Sequence, residues 1–134
     1  MKKTTFSHFI NIPSPTAIAK RFNFISLFSS AGIADYGLAM AGGKCLAACE
    51  IDLNRRKTHQ ENFDCPVFED IKQDRDKIID KFKNQNIDVV IATPPCQSFS
   101  TANAARGNRK DYLYAELDSR NTLFFDAIYI IKKF

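Results

Sequence analysis

The chain has no pair of cysteines at the C-x-x-C spacing of a metal knuckle, no G-x-G-x-x-G run, only two histidines, and no apolar stretch long enough to cross a bilayer. Each absence removes a class of function. Cys45, Cys49, Cys65 and Cys96 are scattered singly, and only His8 and His59 could complete a zinc set, so no metal site is expected. Cys45 and Cys49 lie in an apolar run and read as buried small hydrophobes, and unpaired thiols fit a reducing cytoplasm. At the amino terminus, "MKKTTFSHFINIPSPTAIAKR" begins basic and contains an Ala-Ile-Ala like a signal-cleavage site. His8, Asn11, Pro13 and Pro15 interrupt any apolar core there, so residues 1–21 read as a flexible arm and no membrane partner is expected.

What is present suits one soluble α/β domain. The 134 residues are 45% apolar and 25% charged, and 19 basic against 15 acidic side chains leave +4, which permits contact with a polyanion without demanding it. There are no internal repeats. "FNFISLF", Phe22 to Phe28, reads as a buried strand that ends in the small-residue turn "SSAG". Ala34 to Ala41 favours a helix closed by Gly42 and Gly43, and "KCLAACEID" reads as a second strand ending in Glu50 and Asp52. A polar helix from Asn54 to Asn62 and a brief strand in "CPVFED" follow. "DRDKIIDKFK" puts Ile78, Ile79 and Phe82 on one helical face, and Ile87 to Ala92 is the clearest of the buried-strand signals. A last amphipathic helix is predicted from about Asp118 or Ser119, running to the final residues without a cap. Such alternation implies a mostly parallel sheet with right-handed crossovers, whose ligands bind beyond the carboxyl ends of the strands.

The residues at those ends carry the chemistry. Glu50 closes the second strand about eighteen residues after Gly32, where nucleoside-binding sheets hold an acid against both ribose hydroxyls. The turn "FSSAGIADYG" lacks the glycines that admit a pyrophosphate, which favours a nucleoside without phosphates over a dinucleotide; an ordinary turn beside a solvated acid remains the alternative. Asp70 could accept from an exocyclic amine or serve only as a helix N-cap. Cys96 follows two prolines that fix the backbone and hold the thiol at the rim of the sheet, and Arg106, Arg109 and Lys110 follow as cations that favour a thiolate or as a solvated loop. A cysteine hydrolase would need a histidine base, and neither His8 in the arm nor His59 on a polar helix is placed for it.

Together these pieces resemble the DNA cytosine-5 methyltransferases, which use S-adenosylmethionine. "PPCQ", Pro94 to Gln97, is similar to that family's catalytic signature, and "SLFSSAGIADYGL", Ser26 to Leu38, to its cofactor loop. The resemblance implies cofactor contacts from Phe28, Ser29, Ala31, Gly32 and Ile33, from Glu50 and Ile51 of "CEID", and from Asp70 and Ile71 of "EDI". It adds Pro94, and Asn121 and Leu123 of "RNTLF" beside the methionine end. Ser26, Ser30 and Ile33 depart from the family, which often has Asp at the first position and Gly at the other two. The implied fold is a Rossmann-like methyltransferase sheet over residues 22–134, an incomplete part of a whole enzyme.

In the implied reaction the Cys96 thiolate adds to carbon 6 of a flipped cytosine and raises electron density at carbon 5, which then takes the methyl group. Gln97, Ser98 and Ser100 would contact DNA in the loop that closes over the base, with Arg106, Arg109 and Lys110 near phosphates. The family's Glu-Asn-Val glutamate, which assists ring nitrogen 3, has no counterpart here, nor has its target-recognition region. The chain alone is therefore expected to be inactive, either as a fragment of a longer gene or a decayed remnant or, as the less favoured alternative, as one subunit of a split enzyme whose second chain carries those parts. The substrate the resemblance implies is double-stranded DNA. The rival expectations are a non-catalytic S-adenosylmethionine-binding or partner-binding module and a nicotinamide-dependent oxidoreductase domain.

Overall fold

The computed structural model describes residues 21–95 and 122–134. Its elements, in chain order, are β1 (Phe22–Leu27), α1 (Ile33–Met40), β2 (Gly43–Cys49), α2 (Leu53–Asn62), β3 (Val67–Phe68), α3 (Ile71–Phe82), β4 (Val89–Ala92) and α4 (Leu123–Ile131). The strands form one parallel sheet in the order β3-β2-β1-β4, a Rossmann-like arrangement. The chain adds β2 and then β3 on one side of β1, and returns to place β4 on the other. The order thus reverses at β1, and the switch point, where sheets of this kind form their ligand crevice, falls between the carboxyl ends of β1 and β4.

One face of the sheet carries the apolar core. Ile25 and Leu27 of β1 and Ala47 and Cys49 of β2 pack with Ile71, Ile78 and Phe82 of α3 and with Ala127 and Ile130 of α4. Removing side chains such as Leu27, Ile78 and Ile130 from water stabilises the fold by about 1.5–3 kcal/mol each. Asp70 caps α3 by accepting the Lys72 N–H, so this helix begins before the Asp74 expected from periodicity and adds Ile71 to the buried face. Asp126 of α4 accepts a 2.8 Å hydrogen bond from Arg75 of α3, tying the two helices together beside their apolar contact.

The other face receives α1 and α2 through Phe24 and Ser26, the alternate residues of β1. A register shift decides which cysteines go where. Phe24 pairs with Cys45 but Ile25 pairs with Ala47, so β2 carries one extra residue at that point. Cys45 consequently shares the face of Phe24, whereas strict alternation would have grouped it with Ala47 and Cys49. Both Cys45 and Cys49 are buried, as the apolar run implied.

Two sequence expectations change. β4 is an edge strand among the described residues, paired only with β1, and Val89 is 37% exposed while Val90, Ile91 and Ala92 are half-buried. An apolar run has the same composition at the edge of a sheet as at its centre, so burial could not be read from it. α4 ends at Ile131, with a turn at Lys132 and Lys133, rather than running helical to the last residue. The predicted start of that helix at Asp118 or Ser119 and the amino-terminal arm through residue 20 lie outside the described residues, and no helix among those described is long and apolar enough to cross a membrane.

Candidate active site

The loop after β1 is held by backbone bonds to the neighbouring strand ends. The Ser29 N–H donates to the Cys49 carbonyl at 3.0 Å, and the Glu50 N–H donates to the Phe68 carbonyl at 3.0 Å, so the ends of β1, β2 and β3 are fastened in a row. Glu50 is the central fastener. One carboxylate oxygen accepts the Ser30 N–H and the other the Asp52 N–H, each at 2.8 Å, and the side chain is buried. A carboxylate has about four acceptor sites, so two bonds leave capacity for hydroxyl donors of a ligand. Arg56 of α2 supports the same point by donating to the Glu50 carbonyl at 3.0 Å. Asp52, the other acid at this strand end, instead caps α2 by accepting the Asn54 and Arg55 N–H groups; the bond from Arg55 holds its carboxyl below the usual range.

The turn itself is conformationally strained. Phe28 and Ser30 have φ of 61° and 52°, the left-handed region that costs a residue with a Cβ about 1–2 kcal/mol. Ser30 therefore stands where glycine would be easiest, and its N–H is aimed at Glu50 as a result. Gly32 follows at φ 89°, and a Cβ there would meet Phe63 at 2.5 Å and His59 at 3.0 Å. Ile33 begins α1 with its side chain 82% exposed, so its bulk does not crowd the loop. Ser29 is buried, and its Oγ has no hydrogen-bond partner among the described residues.

β4 reaches the same crevice from the other side. The Thr93 N–H donates to the Leu27 carbonyl at 3.2 Å and its hydroxyl to the Phe28 carbonyl at 3.0 Å, which holds the start of "TPP" against the β1 turn. Pro94 and Pro95 are half-buried there, and Pro95 is the last described residue before Cys96.

Of the sequence-predicted residues, the structure gathers Phe28, Ser29, Ala31, Gly32, Ile33, Glu50, Ile51 and Pro94 at the carboxyl ends of β1, β2 and β4. Ile51 is 68% exposed beside the buried Glu50. Asp70 serves as the α3 cap, Ile71 is turned into the core, and Leu123 packs half-buried against that core. Cys96, Gln97, Ser98, Ser100, Arg106, Arg109, Lys110 and Asn121 lie outside the described residues.

A second polar cluster, on the α1 and α2 face, was not anticipated. His59, expected on a polar helix surface, is fully buried: its Nε2 lies 2.7 Å from Asp35 Oδ2, and Ser26 Oγ donates to Asp35 Oδ1 at 2.5 Å. The ring stacks on Phe63 with centroids 4.6 Å apart, and Nδ1 has no partner among the described residues. Cys45 and Cys65 lie 3.4 Å apart at sulfur, and both sulfurs and a His59 ring nitrogen fall within 4.8 Å of one another. The thiol–thiol contact pushes Cys45 up and holds Cys65 low, so Cys65 ionises first. Burial pushes Cys49 up to about 12, which makes that thiol inert. The legible signal was a pair of complementary exceptions: Asp35 is the one acid of an otherwise apolar α1, and His59 precedes Phe63 by one helical turn.

Residues 22–134 match the family model described as C-5 cytosine-specific DNA methylase. The chain is 36% identical over 118 residues to the type II methyltransferase M.HpaII of Haemophilus parainfluenzae, covering 87% of this chain and 29% of that protein. It is 39% identical over 119 residues to the type II methyltransferase M.NgoPII of Neisseria gonorrhoeae, covering 89% of this chain and 32% of that one. A crystal structure of a proposed DNA modification methyltransferase encoded within an E. coli prophage shares the fold with a TM-score of 0.59 and 31% identity, over 84% of this chain and 29% of that chain. The chain thus spans less than a third of the length of the solved structure and of the first of these relatives, and 32% of the second.

Proposed function

Because the chain belongs to the C-5 cytosine-specific DNA methylase family, we propose that residues 22–134 are the S-adenosylmethionine-binding and nucleophile-bearing portion of a DNA cytosine-5 methyltransferase, with residues 1–21 an arm outside it. The observation that carries this reading is the convergence at one switch-point crevice of the Glu50 carboxylate, the Ser29–Gly32 turn and the Pro94–Pro95 end of β4.

The residues present fit the cofactor. Glu50 has acceptor capacity for a ribose diol, the buried Ser29 hydroxyl lacks a partner among the described residues, and exposed Ile51 offers an apolar wall for a base. S-adenosylmethionine supplies a methyl group activated on a sulfonium sulfur. The work of the chain is to hold that cofactor and to present Cys96, whose thiolate forms a bond to carbon 6 of a flipped cytosine while the electron pair of the 5,6 double bond moves to carbon 5. Loss of the carbon 5 proton then returns electrons that expel the cysteine. Gln97, Ser98 and Ser100 would contact the target DNA, and Arg106, Arg109 and Lys110 its phosphates. A second polypeptide segment bearing Glu-Asn-Val and a target-recognition region would supply the group at ring nitrogen 3 and the choice of site.

A duplex containing 5-fluorocytosine tests the chemistry, because fluorine cannot leave as a proton and the cysteine adduct accumulates. The chain, co-expressed with such a segment and given S-adenosylmethionine, is expected to form a denaturation-resistant adduct mapped to Cys96 and lost in Cys96→Ser. An adduct that survives that substitution, or none from the assembled enzyme, would refute the assignment.

A further inference from the structure

Cys45, His59 and Cys65 converge from three separate places: β2, α2 and the turn before β3. Nothing in the methyl-transfer chemistry uses them. The register shift in β2 is what turns Cys45 away from the core face toward this group. The two sulfurs are 3.4 Å apart, and the three potential ligand atoms all fall within 4.8 Å. Tetrahedral zinc with bonds of about 2.3 Å to sulfur and 2.0–2.1 Å to nitrogen requires ligand separations of that order. The remaining features are those of a supported ligand set. His59 Nε2 is taken by Asp35, which Ser26 in turn orients, and this leaves Nδ1, fully buried and without a partner among the described residues, for a metal. A metal-bound imidazole characteristically gives its other nitrogen to a carboxylate in this way.

We propose that Cys45, His59 and Cys65 form a zinc site, with Asp35 as the positioning residue for His59 and a water completing the coordination. Zinc here is bound by two thiolates and a neutral imidazole, so binding displaces two thiol protons to solvent and leaves the first coordination sphere without net charge. Soft sulfur donors with one imidazole select zinc over magnesium or calcium, which take oxygen ligands. The site abuts the turn of the active site, because Gly32 packs directly against Phe63 and His59. Zinc would therefore clamp α2 and β2 behind the loop that Glu50 holds in front.

The test is a titration of the reduced, metal-free full chain with Co2+ and then Zn2+. One equivalent of Co2+ should give thiolate-to-metal charge-transfer absorption and the visible bands of a tetrahedral centre, both abolished by Zn2+, with two protons released per metal. Cys65→Ala, at a half-buried position, should abolish the charge-transfer signal, Cys96→Ala should leave it intact, and Asp35→Asn should weaken zinc binding about 10–100-fold. As a second reading independent of variant folding, Zn2+ should protect Cys45 and Cys65 of the wild-type chain from alkylation and leave Cys96 labelling unchanged. No tetrahedral signal in the wild-type chain, a signal unchanged by Cys65→Ala, or alkylation of Cys45 and Cys65 unaffected by Zn2+ would each overturn the proposal.

Discussion

Two glycine-to-alanine substitutions only five residues apart should change stability in opposite directions. At Gly32 the backbone has φ 89°, which costs an alanine about 1–2 kcal/mol. The new methyl would also lie 2.5 Å from Phe63 Cε2 and 3.0 Å from His59 Cδ2. Phe63 cannot swing aside cheaply, since its ring is stacked on a histidine that is itself fully buried. Forcing a methyl into such packing adds about 1–3 kcal/mol, so Gly32→Ala should destabilise by about 2–5 kcal/mol, a large part of the total for a small domain. Gly37 lies within α1 with nothing inside 4 Å of a Cβ, so Gly37→Ala should stabilise by about 0.5–1 kcal/mol through helix propensity alone. Urea-dependent pulse proteolysis of dilute protein measures both, with the Gly32→Ala midpoint lowered by more than about 1 M and the Gly37→Ala midpoint raised. Equal shifts in the same direction, or a Gly32→Ala chain as stable as wild type, would refute the account of the turn.

Ser30→Gly relieves a left-handed serine while keeping the N–H that Glu50 accepts, so it should raise the urea midpoint by the equivalent of up to about 1 kcal/mol; a lower midpoint would show that the hydroxyl matters more than the backbone. The hydrogen bond from Lys77, helped by the Glu69 and Asp70 N–H groups, holds the Asp74 carboxyl below its ordinary 3.8 against the opposing effect of burial. A depressed carboxyl contributes stability fully above the unfolded value and loses it as pH falls through the folded one, so Asp74→Asn should flatten the acid limb of a stability profile below about pH 4 and an unchanged limb would contradict this. Replacing Arg106, Arg109 and Lys110 together by alanine should reduce the salt dependence of DNA binding by about 0.9 in log–log slope for each phosphate that is no longer neutralised; an unaltered slope removes them from the interface.

Much of the fold was legible because its signals are local. The apolar run of β1, the glycines after α1 and the strand that leads into "TPPC" each report their own element. Glu50 could be placed at a strand end because strand length and turn composition together fix where β2 stops. What escaped was set by neighbours distant in sequence. Whether β4 is central or an edge depends on which strands lie beside it, β1 alone among the described residues, and the side to which Cys45 points depends on a register shift against Phe24. His59 looked like one more polar residue of α2 until Asp35, 24 positions earlier, was brought against it. Asp70 carried two expectations at once: the structure shows the helix cap, and the cofactor contact is left to a binding measurement.

The most direct test of the central claim is calorimetric titration of the chain with S-adenosylmethionine and, separately, with a nicotinamide dinucleotide. The account predicts saturable one-to-one binding of S-adenosylmethionine, weakened at least about tenfold by Glu50→Ala, and no binding of the dinucleotide. Binding of the dinucleotide, or S-adenosylmethionine affinity indifferent to Glu50→Ala, would contradict it.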